Sequence, residues 1–298
     1  MGRHLAQACR ARNYEVRGLD LSGEAVKTLQ ESGYEVIQGS VTDVEVVRRF
    51  CTDLDVIVHT AAMMKEDGDW SQFRAVNVEG TECVAQEARK QDIEAFIHIS
   101  SIIIYGYDFP KNVSEDNPLK GKNNPYYQTK IESEIAARKF HDQNGMGMTV
   151  VRPGDVYGPG SLPWVIRPLD MIKKRMLILP GRGQGMMNPI HIDDLVEAYL
   201  QIIENKIYGE TFNLTDGVPV SFLEYFSRLA RMIGRGAPPC LPLPLLRAAF
   251  LFIPKSVATR AAIDFVTRKH GYSIENAKTK FDFAPKIKLE QGLEGVEE

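Results

Sequence analysis

Short apolar segments alternate with helical segments through the first half of the chain, and this alternation limits the fold most. The segments LDVIVH at 54–59, AFIHIS at 95–100 and MTVVR at 148–152 are almost continuously apolar. A strand with apolar side chains on both faces fits a parallel sheet that helices cover on both sides. We therefore predict an α/β fold with a doubly wound parallel sheet.

The remaining elements of this half follow from the same alternation. Two further strands are predicted at 16–20 and 34–38. Helices are predicted at 3–12, 24–31, 44–50, 70–91 and 124–142.

The character of the chain changes after Pro153. Prolines and glycines cluster in GPGSLP and LPGRGQG, and several predicted helices follow one another. We predict a first domain at 1–153 and a smaller, mostly helical lobe at 154–298. Residues 186–214 are expected to return to the sheet of the first domain. Ligands of open parallel sheets bind at the carboxyl ends of the strands.

Composition excludes several classes of protein. The chain has 298 residues, of which 44% are hydrophobic and 25% charged, as in soluble globular proteins. Its net charge of −3 argues against a nucleic-acid partner. The four cysteines show no metal-binding spacing, so no metal site is expected. The longest apolar stretch, 241–254, is too short to span a membrane, and a cytoplasmic location is expected.

Part of a dinucleotide-binding motif is visible near the amino end. Gly2 opens a predicted helix, and Asp20 ends the strand that follows. A carboxylate in this position can accept both hydroxyls of an adenosine ribose, and it repels a 2′-phosphate. This favours NAD over NADP. The strand and the first two glycines that complete the motif do not occur in this sequence.

Tyr126 and Lys130 are the strongest catalytic candidates. Their spacing of four places both side chains on one face of a helix, and Pro125 suits the first helical turn. A neighbouring ammonium favours the phenolate and thereby lowers the pKa of a tyrosine. Such a pair can exchange a proton with a carbinol oxygen while hydride moves at carbon. The other pair with this spacing, Tyr107 and Lys111, is interrupted by Pro110.

Two further polar residues belong with this pair. Ser101 follows the strand 95–100, where its hydroxyl either holds a substrate oxygen or caps a loop. Asn77 lies inside the predicted helix 70–91, where an amide is unfavourable. It is expected to serve a buried water or a kink in the backbone.

Together these residues resemble the extended short-chain dehydrogenase/reductase family. This family includes NAD-dependent epimerase/dehydratases and 3β-hydroxysteroid dehydrogenase-like enzymes. The matching segments are GRHLAQACRARNYEVRGLDLS, DVIVHTAA, NVEGT, FIHISSIIIYG, PYYQTK, VVRPGDVYGPG, NPIHIDDLVEA and ENAKTKFDFAPKIKLEQGL. They span almost the whole chain, and their order and spacing are specific.

The resemblance implies a Rossmann-like NAD(P)-binding domain at 1–153 and a substrate-binding lobe at 154–298. It also implies a role for each candidate in catalysis. Tyr126 would be the acid/base, and Lys130 would support it and hold the nicotinamide ribose. Ser101 would orient the substrate, and Asn77 would support a proton-relay water. Family members often form homodimers through the helices that carry Asn77 and Tyr126, so a homodimer is expected.

The resemblance also implies the residues that contact NAD. Gly2 corresponds to the third glycine of the family motif TGxxGxxG, and Asp20 to its ribose-binding acid. The other implied contacts are Ser40, Val41, Ala61, Ala62, Lys130 and Pro153. Ser40 departs from the family, which has an aspartate there.

The sequence begins inside the cofactor motif and lacks the strand that would lie at the centre of the sheet. Backbone N–H groups of the missing loop would hold the pyrophosphate. We therefore expect this chain to bind NAD weakly. A non-catalytic or cofactor-deficient fragment of such an enzyme is one interpretation.

Two activities compete within the enzyme class. The first is an oxidoreductase that interconverts a secondary alcohol and a ketone on an apolar, sterol-like or otherwise lipophilic small molecule. The second is a nucleotide-sugar 4-epimerase or dehydratase. Such enzymes of this family usually carry an asparagine where this chain has Asp155, and dehydratases an acid where it has Ile102 and Ile103. Both departures favour the first activity.

The run His191-Ile192-Asp193-Asp194 suggests metal ligands, but it precedes the amphipathic segment LVEAYLQIIE. We predict that Asp193 or Asp194 caps a helix at this position.

Overall fold

The computed structural model describes residues 1–64, 69–107, 109, 112–121, 124–142, 145–245, 260–294 and 296. The chain forms two compact units. Unit 1 comprises Met1–Ile104, Leu119–Arg152 and Val196–Phe212, and unit 2 comprises Tyr105–Pro118, Pro153–Leu195 and Asn213–Glu298. Residues 105–118, which lie within the first predicted domain, thus group with unit 2.

The elements up to residue 153 alternate as the sequence predicts. In chain order they are α1 (Gly2–Ala11), β1 (Arg17–Asp20), α2 (Gly23–Glu31), β2 (Glu35–Gln38), α3 (Val44–Cys51), β3 (Val56–His59), α4 (Trp70–Arg74), a π-helical turn (Ala75–Glu79), α5 (Gly80–Lys90), β4 (Ala95–Ile99), a 3₁₀ turn (Ile102–Tyr105), α6 (Pro125–Arg138) and β5 (Gly147–Pro153).

The later elements are shorter, apart from two long helices. They are β6 (Asp155–Tyr157), a second π-helical turn (Leu162–Ile166), α7 (Arg167–Lys173), β7 (Leu179–Pro180), β8 (Met186–Met187), β9 (Pro189–His191), α8 (Ile192–Glu204), β10 (Thr211–Leu214), β11 (Val220–Ser221), α9 (Phe222–Met232), β12 (Cys240–Leu241), α10 (Arg260–Thr267), α11 (Glu275–Phe281) and α12 (Leu289–Leu293).

The parallel sheet is present, but it is divided. One sheet has the order β10-β5-β4-β3, with β3, β4 and β5 parallel, and a second sheet pairs β1 with β2 in parallel. Among the described residues, no strand pairing joins β1 or β2 to the four-stranded sheet. Both sheets still contribute to one core, since Leu19 of β1 packs on the cluster that contains Ile57 of β3 and Phe96 of β4.

Burial explains why the sequences of β4 and β5 are almost continuously apolar. All five residues of β4 and all seven of β5 are buried. Unit 2 has a separate core around Tyr157, Phe222 and Tyr225. Among the described residues, no helix combines the length and the apolar character that crossing a bilayer requires.

Two predictions about helices need correction. The predicted helix 70–91 is divided by a π-helical turn at Ala75–Glu79, a feature that is frequent at functional sites. Asp193 and Asp194 do not cap α8, because this helix begins at Ile192 and both lie in its first turn. The Asp194 carboxylate instead accepts the backbone N–H groups of Lys286 and Ile287, each at 3.0 Å.

Candidate active site

Helix α6 carries the predicted catalytic pair, and its first turn is firmly fixed. The Asn124 side chain caps the helix by accepting the backbone N–H groups of Tyr126, at 2.9 Å, and Tyr127, at 3.2 Å. Pro125 supplies the φ of the first helical residue. Tyr126 is thereby placed one turn before Lys130 on the same helix.

Lys130 lies in the interior of unit 1. It is 3% exposed, and its ammonium donates a hydrogen bond to the carbonyl of Ile99, the last residue of β4. Burial lowers the pKa of Lys130 to about 8, and the Glu134 carboxylate one turn further on opposes this effect. The bond to Ile99 fixes α6 against the carboxyl end of β4.

The pKa of Tyr126 is shifted in the direction opposite to the one predicted from its spacing to Lys130. Burial raises the pKa of Tyr126 well above that of an ordinary phenol, and the neighbouring Tyr127 raises it further. Spacing predicts that Lys130 lowers the pKa of Tyr126, whereas the shift has the opposite direction and is caused by the loss of hydration and by Tyr127. The phenol therefore keeps its proton at neutral pH.

Ser101 lies directly after β4, at the carboxyl end of the sheet. It is partly exposed, and its hydroxyl oxygen accepts the backbone N–H of Ile103 at 3.3 Å. Because the oxygen is the acceptor in this bond, the hydroxyl can still donate its proton elsewhere. The adjacent Ser100, which the sequence did not single out, is 4% exposed, and its Oγ has no hydrogen-bond partner in the part of the chain that the structure describes.

Asn77 connects the loop after β3 to the catalytic helix. Its amide oxygen accepts the backbone N–H of Met63 at 2.7 Å, and its amide nitrogen donates to the Met63 carbonyl at 3.2 Å and to Thr129 Oγ1 at 3.0 Å. Thr129 immediately precedes Lys130. With 1% of its surface exposed, Asn77 positions α6 through contacts that the sequence alone could not reveal.

Two buried histidines flank this interior region. His59 and His98 stack with ring centroids 5.9 Å apart and contact Thr81 and Ser133, respectively, each at 3.0 Å. Burial, followed by the charge of Lys130, lowers both pKa values, that of His59 to about 3. Both imidazoles are therefore neutral at pH 7.

The predicted cofactor residues of unit 1 follow the carboxyl ends of parallel strands. Asp20 ends β1, is exposed, and accepts the backbone N–H of Ser22 at 2.8 Å. Ser40 follows β2 and contacts the Thr42 hydroxyl at 2.8 Å.

The other predicted cofactor residues lie after β3, against the hydrophobic core or at the end of β5. Ala61 and Ala62 follow β3 and are partly exposed. Val41 packs against the hydrophobic core of unit 1. Pro153 is the buried last residue of β5.

The helix α1 begins at Gly2. The first backbone N–H groups of a helix have no partner within the helix. In the described part of the chain no side chain caps α1 either. A Cβ at Gly2 would meet only Thr60 Oγ1, at 3.5 Å. The approach to this helix end is therefore open.

Comparison with known proteins identifies the family. The family model for the NAD dependent epimerase/dehydratase family matches residues 1–215, and the chain belongs to this family. It is an NAD-dependent oxidoreductase of the extended short-chain dehydrogenase/reductase type.

Two curated relatives indicate the range of activities. A 4-hydroxy-2-methyl-3-oxo-4-farnesyl-3,4-dihydroquinoline-1-oxide ketoreductase from Stigmatella aurantiaca is 27% identical over 99% of this chain and 92% of its own. The dTDP-D-glucose 4,6-dehydratase of Bos taurus is 28% identical over 68% of this chain and 59% of its own.

Solved structures share the fold. The UDP-glucose 4-epimerase of Thermotoga maritima has a TM-score of 0.82 at 22% identity, covering 99% of this chain and 94% of that one. The UDP-glucuronic acid 4-epimerase from Bacillus cereus in complex with NAD has a TM-score of 0.80 at 24% identity, covering 98% and 92%. The predicted Rossmann-type α/β fold is confirmed.

The residues present fit NAD on three observations. Asp20 presents an exposed carboxylate for ribose hydroxyls. The open end of α1 at Gly2 suits a phosphate. Ser100 Oγ, directly after β4, has no hydrogen-bond partner among the described residues and can donate to a cofactor oxygen.

The described residues contain no cluster of histidine, cysteine and acidic side chains that could hold a metal ion.

Proposed function

We propose that the protein is an NAD-dependent ketone reductase for an apolar substrate, with Tyr126 as the proton donor. The observation that carries the proposal is the placement of the partly buried Tyr126 in the capped first turn of α6, one turn before the buried Lys130. Its pKa is raised, so the phenol is protonated at neutral pH. A protonated phenol can donate to a carbonyl oxygen, which is the proton transfer that ketone reduction requires.

The other residues of unit 1 would complete the reaction. Reduced NAD, when bound, supplies the hydride. Ser101 would hold the carbonyl oxygen with its hydroxyl, and Lys130 would hold the nicotinamide ribose. Asn77 would act as a positioning residue, since its amide groups already bind Met63 and Thr129. Asp20 and the open end of α1 at Gly2 would hold the adenosine side of the cofactor.

Further positions are proposed to line the cofactor as the resemblance implies. They are Ser40, Val41, Ala61, Ala62 and Pro153.

The substrate class rests on the residues after Ser101 and on one relative. Ile102 is 1% exposed and opens the 3₁₀ turn at the position where dehydratases carry an acid. The Stigmatella ketoreductase, which aligns over 99% of this chain, is named for a ketone with a farnesyl group. Both observations support an apolar ketone.

A nucleotide-sugar dehydratase or epimerase is the second candidate. The dTDP-D-glucose 4,6-dehydratases that match 68% of the chain favour it.

The two activities are separated by incubating the full chain either with NADH and an aromatic ketone that carries a prenyl chain, or with NAD⁺ and dTDP-glucose or UDP-glucose, because the sugar must first be oxidised. We expect NADH oxidation and one equivalent of alcohol with the ketone alone. Conversion of a nucleotide sugar without turnover of the ketone would contradict the proposal.

We also propose that the chain forms a homodimer through α5 and α6. Ile135 of α6 is 56% exposed, although its neighbours Ala136 and Ala137 are buried. Light scattering should give the mass of two chains, and a monomeric mass at micromolar concentration would contradict the dimer.

A further inference from the structure

Two buried histidines of unit 1 each begin a chain of hydrogen bonds that ends at the backbone of a residue of the proposed active site. In the first chain, His59 Nε2 lies 3.0 Å from Thr81 Oγ1, and this hydroxyl lies 2.7 Å from the Asn77 carbonyl oxygen. A carbonyl oxygen can only accept, so the Thr81 hydroxyl donates its single proton to Asn77. The same hydroxyl must then accept from His59, and Nε2 of His59 therefore carries the ring proton.

The second chain has the same order. His98 Nε2 lies 3.0 Å from Ser133 Oγ, and this hydroxyl donates to the Lys130 carbonyl at 2.8 Å. His98 is therefore also protonated on Nε2. Its Nδ1 is buried and has no hydrogen-bond partner among the described residues. Within the described part of the chain, the bond to Ser133 alone selects this tautomer.

The six members of the two chains are all shielded from solvent. Each is at most 5% exposed: His59, Thr81, Asn77, His98, Ser133 and Lys130. Buried hydrogen bonds are stronger than those in water, and a buried polar group that loses its partner is costly. Because the two imidazole rings stack, the chains also begin at adjacent side chains.

The Asn77 side chain extends the first chain to the catalytic helix α6. Its amide nitrogen donates to Thr129 Oγ1 at 3.0 Å. The Thr129 hydroxyl lies 2.7 Å from the Pro125 carbonyl and 3.2 Å from the Tyr126 carbonyl, both of which can only accept. The end of β3 is thus connected through Asn77 to the backbone of Tyr126.

We propose that His59 and His98 are positioning residues of the active site. Each acts through the hydroxyl to which it donates, and so fixes the backbone of Asn77 or of Lys130. Only the tautomer with the proton on Nε2 can do this, because each hydroxyl has its own proton committed to a carbonyl. The inference deepens the proposed function, on which it rests in treating Asn77 and Lys130 as parts of the active site.

The tautomers are tested first, on the wild-type chain without cofactor or substrate. Proton–nitrogen NMR correlation spectra of the imidazole rings distinguish the two neutral tautomers from each other and from the charged ring. Among the six histidines of the chain, the two rings are recognised by nuclear Overhauser effects between them, because they stack. We expect both rings to be neutral at pH 7 with the proton on Nε2. A proton on Nδ1 of either ring would overturn the proposal.

Thr81→Val tests the positioning role, because valine keeps the shape of threonine and lacks the hydroxyl. The matched control is Thr149→Val, which removes an equally buried hydroxyl that donates to the Ile207 carbonyl at 2.9 Å and belongs to neither chain. A small displacement of a catalytic group can cost about 100-fold in rate. We expect Thr81→Val to lower kcat of NADH-dependent ketone reduction about 10- to 100-fold with little change in KM for the ketone. Thr149→Val should stay close to wild type.

Two further variants separate positioning from a general loss of stability. Thr81→Ser keeps the hydroxyl and should retain most of the wild-type kcat. Ser133→Ala should lower kcat and also raise KM for NADH, because Lys130 is proposed to hold the nicotinamide ribose. If Thr81→Val fails to fold, Ser133→Ala is compared with Thr149→Val in the same way.

The side-chain amide of Asn77 provides a measurement that needs no turnover. Its N–H signals should shift in Thr81→Val and stay in place in Thr149→Val, and equal spectra of the two variants would overturn the first chain. If the wild-type chain does not reduce the ketone, the proposed function fails, while the tautomers and these signals still test the two chains. If the ketone is reduced and both valine variants have the same kcat, the positioning role fails and the proposed function stands.

Discussion

The ion pair between Glu134 and Arg152 fixes the catalytic helix to the sheet and should dominate the response to mutation. Glu134 lies on α6 and Arg152 on β5, and two hydrogen bonds of 2.9 and 2.7 Å join the carboxylate to the guanidinium. Their side chains are 2% and 5% exposed. Glu134→Gln retains the shape but leaves the Arg152 charge buried without its counterion.

The expected loss is large because the Arg152 side chain, 5% exposed, stays buried when the Glu134 charge is removed. Removing one partner of a buried pair costs about 3–5 kcal/mol. We expect Glu134→Gln to reduce the free energy of unfolding, measured by urea titration and circular dichroism, by about this amount. Glu134→Leu combined with Arg152→Met should restore most of it, since neither charge then remains buried.

The matched control on the same helix is Glu132→Gln. Glu132 pairs with Arg74, and their side chains are 26% and 50% exposed, so its loss should cost less than about 1 kcal/mol. If Glu134→Gln lowers the free energy of unfolding no more than Glu132→Gln does, the reasoning from burial is wrong.

Glu134→Gln can also be followed by a second measurement, because the charge of the Glu134 carboxylate raises the pKa of Lys130. The pH at which Lys130 loses its proton should therefore fall in Glu134→Gln and stay unchanged in Glu132→Gln.

Three further predictions concern the proposed active site. The ammonium of Lys130 is present below its pKa of about 8 and lost above it, so NADH-dependent turnover should fall as pH rises through about 8. A rate independent of pH across this range would contradict the assignment. Asn77→Ala removes three hydrogen bonds and should lower the free energy of unfolding by roughly 2 kcal/mol and also reduce kcat, whereas an unchanged kcat would limit Asn77 to a structural role. Asp20→Ala should raise KM for NADH and reduce the preference for NADH over NADPH by about tenfold, and an unchanged preference in steady-state assays would contradict the ribose contact.

The sequence predicts the strands and α6 closely, because local signals determine them. The apolar runs that become β3, β4 and β5 are bounded by polar residues, and Asn124 with Pro125 marks the start of α6. The helix at 70–91 was harder to predict. Asn77 is an unfavourable residue at that point, yet its partners Met63 and Thr129 are distant in sequence, so the π-helical turn could not be located.

Contacts between distant residues and the effects of burial account for most of what the sequence could not show. Asp155 and Arg268 are 113 residues apart, and nothing local in either segment predicts their pairing. Spacing correctly places Tyr126 and Lys130 on one helix, but only the packing shows that Lys130 is buried and Tyr126 partly buried. Burial reverses the expected shift in the tyrosine pKa.

Tyr126→Phe tests the central claim most directly. The change removes one hydroxyl, and Tyr127→Phe is the matched control, because the two rings are in edge-to-face contact with centroids 6.1 Å apart. The measurement is the rate of NADH-dependent ketone reduction by both variants, with NADH binding followed separately by fluorescence. We predict that Tyr126→Phe lowers kcat by about 10²- to 10⁴-fold with little change in NADH affinity, while Tyr127→Phe stays close to wild type. Full turnover by Tyr126→Phe, or an equal loss in both variants, would contradict the account.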